Sequence, residues 1–84
     1  MSDTHKIKLY GSKRCHKTKF YQSLLEQKKI DYQFLDVEEN KNSAEELRAL
    51  YENGKLNFPT LTVLGKRLRN PSVKELTKWI EKLK

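Results

Sequence analysis

The stretch LYGSKRCHKTKF, from Leu9 to Phe20, joins two sequence patterns and contains the only cysteine of the chain. The apolar residues before Gly11 are typical of a short strand that ends in a turn. After Cys15, apolar residues recur at helical spacing as far as Lys28 and Lys29, cations suited to a helix C-terminus. The predicted buried face of this helix consists of Phe20, Tyr21, Leu24 and Leu25. Cys15 is therefore placed between a predicted strand and a predicted helix.

The next part of the sequence continues this alternation. Residues 32–37 have the pattern of a second strand, and a right-handed crossover would make it parallel to the first. Ser43 and Glu46 form a potential capping box for a second helix, with Ala44, Leu47, Leu50 and Tyr51 on one face. Asn53 and Gly54 would end that helix.

A hairpin and a third helix complete the predicted fold. Residues 59–64, PTLTVL, are rich in β-branched residues, and Gly65-Lys66 is predicted to turn the chain into residues 67–69. Pro71 suits a first-turn position, and Ser72 with Glu75 forms a second potential capping box. The predicted buried face consists of Val73, Leu76, Ile80 and Leu83, flanked by Trp79. The element order is β-α-β-α-β-β-α, an α/β fold.

Length and composition limit the possibilities further. The chain has 84 residues, and we expect residues 1–84 to form one domain. The sequence contains neither a secretory signal pattern nor an apolar run of about 18 residues, so we expect no membrane partner and a cytoplasmic location. The single cysteine fits a reducing compartment, where a free thiol serves as a core residue or as a nucleophile.

The net charge of +7 hides a block pattern along the chain. Residues 1–29 carry eight Lys or Arg and two acids, residues 30–53 carry two and seven, and residues 54–84 carry eight and two. The blocks predict a basic face and an acidic face. Because no nucleic-acid-binding signature accompanies the positive charge, nucleic acid is not the expected partner. We expect the protein to be a monomer.

The environment of Cys15 favours a reactive thiol. The N–H groups and dipole of a helix N-terminus stabilise a thiolate, and four nearby cations should act in the same direction: Lys13, Arg14, Lys17 and Lys19. The alternative is a buried cysteine acting as a small apolar residue, which the polar neighbours argue against. His16 is interpreted as a solvated first-turn residue, and with one cysteine and two histidines no metal site is expected.

The chain resembles the glutaredoxins of the thioredoxin-like superfamily. LYGSKRCHKT is similar to the family's first strand, turn and active-site motif, with Cys15 as the nucleophile and Thr18 in place of the second, resolving residue. The segment FPT, beginning at Phe58, is similar to the segment that carries the family's cis-proline, here Pro59. The resemblance extends over about residues 6–83. It implies a thioredoxin-like fold with a mixed four-stranded sheet and three helices.

Three departures from the family pattern affect the expected chemistry. Thr18 excludes an intramolecular disulfide, so only monothiol chemistry is available. His16 replaces the glycine of the cluster-binding Cys-Gly-Phe-Ser motif, which argues against a glutathione-ligated iron–sulfur cluster. The run GKRLRNPS, residues 65–72, lacks the Gly-Gly and acidic pair with which glutaredoxins hold glutathione. The start YGSKRC also resembles the longer arsenate reductase and Spx-like family, whose further arginine motifs are missing here.

The leading hypothesis is a glutaredoxin-like monothiol thiol–disulfide oxidoreductase that acts on glutathionyl or protein disulfides. Glutathione is the expected reductant. Cys15 would attack, supported by Thr18 and His16, and Phe58 and Pro59 would align the substrate backbone. The residues expected to meet substrate carboxylates are Lys13, Lys17, Arg69 and the N–H groups at Ser72. The alternatives are a redox-inactive binding module on the same fold and electrostatic binding to nucleic acid.

Overall fold

In the part of the chain that the structure describes, three helices and the four strands of one mixed sheet follow one another in the predicted order. The structure is a computed structural model that describes residues 7–82. The elements are β1 (Ile7–Gly11), α1 (His16–Gln27), β2 (Gln33–Asp36), α2 (Lys41–Ala49), β3 (Thr60–Val63), β4 (Lys66–Arg69) and α3 (Val73–Glu81). None of these helices has the length and apolar character needed to cross a membrane.

The sheet has the strand order β2-β1-β3-β4. β1 pairs parallel with β2 and antiparallel with β3, and β3 pairs antiparallel with β4. The register places Gly11 opposite Asp36, and Thr60 opposite both Tyr10 and Arg69. The ends of β1, β2 and β4 and the start of β3 therefore meet at one edge of the sheet, from which the Cys15 turn leaves.

Side chains alternate between the two faces of the sheet, as the strand geometry requires. Ile7 and Leu9 belong to the larger apolar cluster, together with residues of α1 and α3, whereas Tyr10 belongs to the cluster beneath α2. The larger cluster consists of Ile7, Leu9, Tyr21, Leu25, Leu61, Val63, Leu68, Leu76 and Ile80, and the smaller of Tyr10, Val37, Ala44 and Leu47. α1 and α3 thus cover one face of the sheet and α2 covers the other.

α1 ends where the sequence predicts, although no glycine is present there. Lys28 is the C-cap, and Lys29 follows in the left-handed region at φ 56°. The N–H of Lys29 donates to the Glu26 carbonyl and the N–H of Ile30 to the Leu25 carbonyl, both at 3.0 Å. These two bonds form a Schellman motif, which satisfies carbonyls at the helix end.

The predicted capping box at the start of α2 is wrong. The helix begins at Lys41, and its N-cap is Asn40, whose Oδ1 accepts the N–H of Ser43 at 3.0 Å. Ser43 is therefore inside the first turn and buried. Glu46 instead accepts a hydrogen bond from the Tyr10 hydroxyl at 2.5 Å.

The hairpin turn is displaced by one residue from its predicted position. Val63 pairs with Lys66, so the two turn residues are Leu64 and Gly65, at φ 52° and 85°. Positive φ at both positions is the conformation of a type I′ turn, whose twist matches that of the strands. Leu64, which extends the apolar run of β3 in the sequence, is 58% exposed.

The start of α3 confirms one cap and corrects two further assignments. Ser72 is the N-cap, and its Oγ accepts the N–H of Glu75 at 3.1 Å. Pro71 precedes the cap and does not lie in the first turn. Val73 and Phe20, both predicted to be buried, are 44% and 49% exposed because the packed faces are rotated away from them. Leu83 lies outside the described residues.

Candidate active site

Cys15 is the N-cap of α1 and lies at the end of a tight turn. Its N–H donates to the Ser12 carbonyl at 3.0 Å, and its own carbonyl accepts the N–H of Lys19 at 3.1 Å. The turn is closed further by the N–H of Arg14, which donates to the Ser12 Oγ at 3.1 Å. The thiol is partly exposed, so a reactant can reach it.

The pKa of the Cys15 thiol is lowered from its ordinary value of 9.0. Partial burial is the largest single effect, and it raises the pKa. Burial is outweighed by hydrogen bonds to the sulfur from the Thr18 hydroxyl and from the N–H groups of Thr18 and Lys17, together with the charge of Lys17. Because hydrogen bonds and positive charge favour the thiolate, the site stabilises the reactive form of Cys15.

Thr18, which the family resemblance places at the position of the resolving residue, contacts the end of β1. Its side chain is fully buried, and its Oγ1 accepts the N–H of Ser12 at 3.3 Å. A Cβ added to Gly11 would lie 2.3 Å from the Thr18 Oγ1 and 2.6 Å from its Cγ2. The close approach of α1 to β1 at this point therefore requires a glycine.

The cations around Cys15 are not equivalent. Lys17 acts on the thiol, whereas the ammonium of Lys13 lies 3.2 Å from a carboxylate oxygen of Glu39. Arg14 and His16 are exposed. The prediction that all four nearby Lys and Arg residues lower the thiol pKa is therefore too broad, because the charge of Lys13 is shared with an acid from another loop.

The Phe58–Pro59 peptide bond is cis, as predicted. Pro59 is buried, and its carbonyl accepts the N–H of Asn70 at 3.0 Å, which links the start of β3 to the end of β4. Within residues 7–82, the Phe58 backbone makes no hydrogen bond to another backbone group.

The segment after β4 is hydrogen-bonded to α1. The Tyr21 hydroxyl donates to the Pro71 carbonyl and lies 3.3 Å from Oδ1 of Asn70. Because Ser72 directly follows, the N-terminus of α3 is fixed relative to α1. Arg69 is exposed at the same edge of the sheet, opposite Thr60.

Sequence reasoning missed the two residues that connect the turn to the neighbouring loop. The hydroxyl of Ser12 donates to the Glu38 carboxylate, 26 residues away in sequence. A pocket of about 280 Å³ lies between these segments, lined by Ser12, Lys13, Arg14, Asp36, Glu38 and Glu39. The parallel pairing of β1 and β2 was the available signal, since it places both following loops at one edge.

Residues 7–68 match the glutaredoxin family model. The chain belongs to the glutaredoxin family. Family and fold together support a function of the thiol–disulfide oxidoreductase type. A comparison with curated protein sequences gave no significant match.

Solved structures show the same fold at low sequence identity. The thioredoxin-like protein BC3987 superposes with a TM-score of 0.75 at 20% identity, covering 88% of this chain and 99% of that one. A glutaredoxin from Archaeoglobus fulgidus gives 0.76 at 14% identity, covering 92% and 87%. Glutaredoxin C1 from Populus tremula x tremuloides, in its holo form, gives 0.69 at 18% identity, covering 95% and 81%.

Proposed function

We propose that this glutaredoxin is a monothiol thiol–disulfide oxidoreductase that reduces glutathionyl or protein mixed disulfides through Cys15. The observation that carries the proposal is the Cys15 thiol, partly exposed at the N-terminus of α1 with a lowered pKa. A thiolate is the species that attacks a disulfide sulfur.

The reaction consists of two exchanges. The Cys15 thiolate attacks one sulfur of the substrate disulfide, forms a mixed disulfide, and expels the other sulfur as a thiolate that takes a proton from solvent. Because the chain has no second cysteine, an external thiol then attacks the mixed disulfide. That step releases the Cys15 thiolate and leaves the external thiol in a disulfide, so that two electrons pass to the substrate.

Glutathione is the proposed external thiol, and the chain offers partners for its carboxylates. Lys17 lies beside the sulfur, and the N-terminus of α3 follows Ser72 at the same edge of the sheet as Arg69. Lys13 is less available because Glu39 holds its ammonium. Residues 65–72 include no acidic residue that could bind the glutathione amino group, which predicts weak binding.

The segment Phe58–Pro59, whose peptide bond is cis, is proposed to align the substrate chain. Its backbone has no partner within the described residues, so an extended substrate can pair with it as an added strand. His16, exposed in the first turn of α1, is the neighbouring side chain proposed to support the thiol.

The test is glutathione-dependent reduction of a glutathionylated peptide. The glutathione amino group lacks charged partners here, which should cost about 1 to 3 kcal/mol of binding free energy. We therefore expect measurable turnover that is about one to two decades below that of a dithiol glutaredoxin. Cys15→Ser should abolish it. The proposal would be contradicted if, with every thiol tested as reductant, the wild-type protein reduced the peptide no faster than Cys15→Ser does.

The alternative is a redox-inactive binding module that kept the fold. It is favoured by the altered segment 65–72, which has lost the family's acidic pair. The alkylation rate of Cys15 at about pH 6 separates the two, because only the oxidoreductase requires an activated thiolate. A folded protein with an unreactive thiol at that pH would support the binding module.

A further inference from the structure

We infer that Glu38 is a positioning residue that fixes the Cys15 turn through the hydroxyl of Ser12. The inference rests on the proposed function in taking Cys15 as the reacting group. Glu38 lies in the loop between β2 and α2, 23 positions after Cys15. Its carboxylate accepts the hydrogen of the Ser12 hydroxyl.

Every polar group of Ser12 serves the active-site turn. Its N–H donates to Thr18 Oγ1 at 3.3 Å, its carbonyl accepts the N–H of Cys15 at 3.0 Å, and its Oγ accepts the N–H of Arg14 at 3.1 Å. The residue is 2% exposed, so water cannot readily replace these partners. The conformation of Ser12 therefore determines where the turn places Cys15.

Glu38 supplies the end of this hydrogen-bond chain. The Arg14 N–H donates to the Ser12 hydroxyl, and the hydroxyl donates to a carboxylate, so each bond polarises the next. A charged acceptor also makes the hydroxyl bond stronger than one between neutral groups. With the carboxylate present, the hydroxyl hydrogen points to Glu38 and leaves an oxygen lone pair for Arg14.

The loop that carries Glu38 is itself held in place. Oδ1 of Asp36 accepts the N–H of Glu38 at 2.9 Å and that of Glu39 at 3.0 Å. The N–H of Val37 donates to the Gly11 carbonyl at 2.9 Å, which continues the pairing of β1 with β2 up to the turn. Glu38 therefore projects from a loop that is anchored to the same strand as Ser12.

The neighbouring Glu39 provides a matched comparison. It is in the same loop and also contacts the turn, but through the Lys13 ammonium, in an ion pair whose side chains are 66% and 64% exposed. Exposed pairs of this kind contribute little because solvent screens them and long side chains lose freedom. Loss of the Glu39 carboxylate should therefore leave the turn in place.

The experiment uses the full chain and needs no disulfide substrate. The thiol pKa is obtained from the rate of Cys15 alkylation by iodoacetamide against pH, and the order of the turn from amide hydrogen exchange at Arg14. The variants are Glu38→Ala, Glu38→Gln, Glu39→Ala and Ser12→Ala. Glu38→Gln removes the charge and keeps an oxygen acceptor, so it separates positioning from charge. Circular dichroism verifies that each variant is folded.

We expect Glu38→Ala to raise the pKa of the Cys15 thiol by roughly 0.5 relative to Glu38→Gln, because a loosened turn withdraws the sulfur from its N–H donors. At pH values below the thiol pKa, this difference corresponds to an alkylation rate that is roughly threefold lower in Glu38→Ala than in Glu38→Gln. Exchange at Arg14 should accelerate in Glu38→Ala and Ser12→Ala, but not in Glu38→Gln or Glu39→Ala. In the Ser12→Ala background, Glu38→Ala should not accelerate exchange at Arg14 further and should give the same thiol pKa as Glu38→Gln.

Equal thiol pKa values in Glu38→Ala and Glu38→Gln would overturn the inference, as would unchanged exchange at Arg14 in Glu38→Ala. The same holds if Glu39→Ala reproduces both changes, because the effect would then belong to the loop as a whole. These measurements are independent of turnover. A protein that reduces no disulfide would contradict the proposed function and still give a clear result for Glu38.

Discussion

At the scale of single residues, Thr18 links the chemistry of the thiol to the packing of the turn. Its hydroxyl donates to the Cys15 sulfur and accepts the N–H of Ser12. The side chain is fully buried, so neither bond has water as a substitute. Thr18, at the position of the family's second cysteine, thus stabilises the thiolate of Cys15.

Replacing Thr18 with valine keeps the shape and removes the hydroxyl. We expect Thr18→Val to raise the pKa of the Cys15 thiol, because the sulfur loses one donor while its partial burial remains. The buried N–H of Ser12 also loses its acceptor, which should lower the free energy of unfolding by about 1 to 3 kcal/mol. The pH dependence of alkylation and urea denaturation measure the two effects.

Thr18→Ser is the control for this prediction, since it retains the hydroxyl and removes one methyl group. Its thiol pKa should stay close to that of the wild type. If Thr18→Val and Thr18→Ser have the same thiol pKa, the hydroxyl does not act on Cys15.

The residues of the site differ in how well the sequence predicts them. Cys15 and Thr18 lie within one short motif, so their positions follow from the local order of strand, turn and helix. Lys13 could not be assigned in this way, because its partner Glu39 is 26 residues away. A pattern of cations shows which charges are present, but only the fold shows which of them are neutralised.

At the scale of secondary-structure elements, Gly11 sets the contact between β1 and α1. The space that a Cβ would need at this position is occupied by Thr18. The tight contact places the N-terminus of α1, and with it Cys15, directly after the strand. Sequence alone predicts a turn at Gly11 but not this packing requirement, since the side chain in the way comes from the next element.

We expect Gly11→Ala to destabilise the protein by about 1 to 3 kcal/mol or more, because the new methyl group overpacks a buried contact. The double variant Gly11→Ala with Thr18→Ala should recover part of this loss, since two of the three closest atoms are then removed. Urea denaturation of both variants and of Thr18→Ala alone gives the coupling. Simple additivity of the two single effects would contradict the assigned contact.

The cap of α2 shows the limit of local patterns. Ser43 with Glu46 has the correct spacing for a capping box, but Asn40, three residues earlier, is also a strong cap and allows one more turn of helix. The longer helix buries Ser43 and Ala44 against the sheet. Tertiary burial, which a local motif does not contain, decides between two acceptable caps.

This assignment predicts that Asn40→Ala destabilises the protein by about 1 kcal/mol, because the N–H of Ser43 loses its acceptor. Ser43→Ala should have a smaller effect, since the alanine preserves that N–H and favours the helix interior. Thermal or urea denaturation compares the two variants. A larger loss in Ser43→Ala would restore the capping box that the structure replaces.

At the scale of the whole molecule, part of the acidic block of the sequence contacts part of the first basic block. The acidic loop at residues 36–39 lies against the basic turn at residues 12–14, through Ser12 to Glu38 and Lys13 to Glu39. On the other side of the turn, α1 has no acidic residue in its first turn. The surroundings of the thiol are therefore positive on the side of α1, where Lys17 acts on the sulfur.

This distribution predicts that salt slows the reaction of Cys15 with an anionic disulfide and hardly affects a neutral one. The Debye length falls from about 30 Å at 0.01 M to about 8 Å at 0.15 M, so attraction by exposed cations is screened over that range. We expect the rate with oxidised glutathione to fall several-fold, and the rate with 2-hydroxyethyl disulfide to remain nearly constant. Lys17→Gln should weaken the salt dependence when rates are compared per thiolate, and it should do so more than Lys28→Gln, whose charge lies about 17 Å farther along α1. Equal salt dependence for both disulfides would show that the positive side of the turn does not attract the substrate.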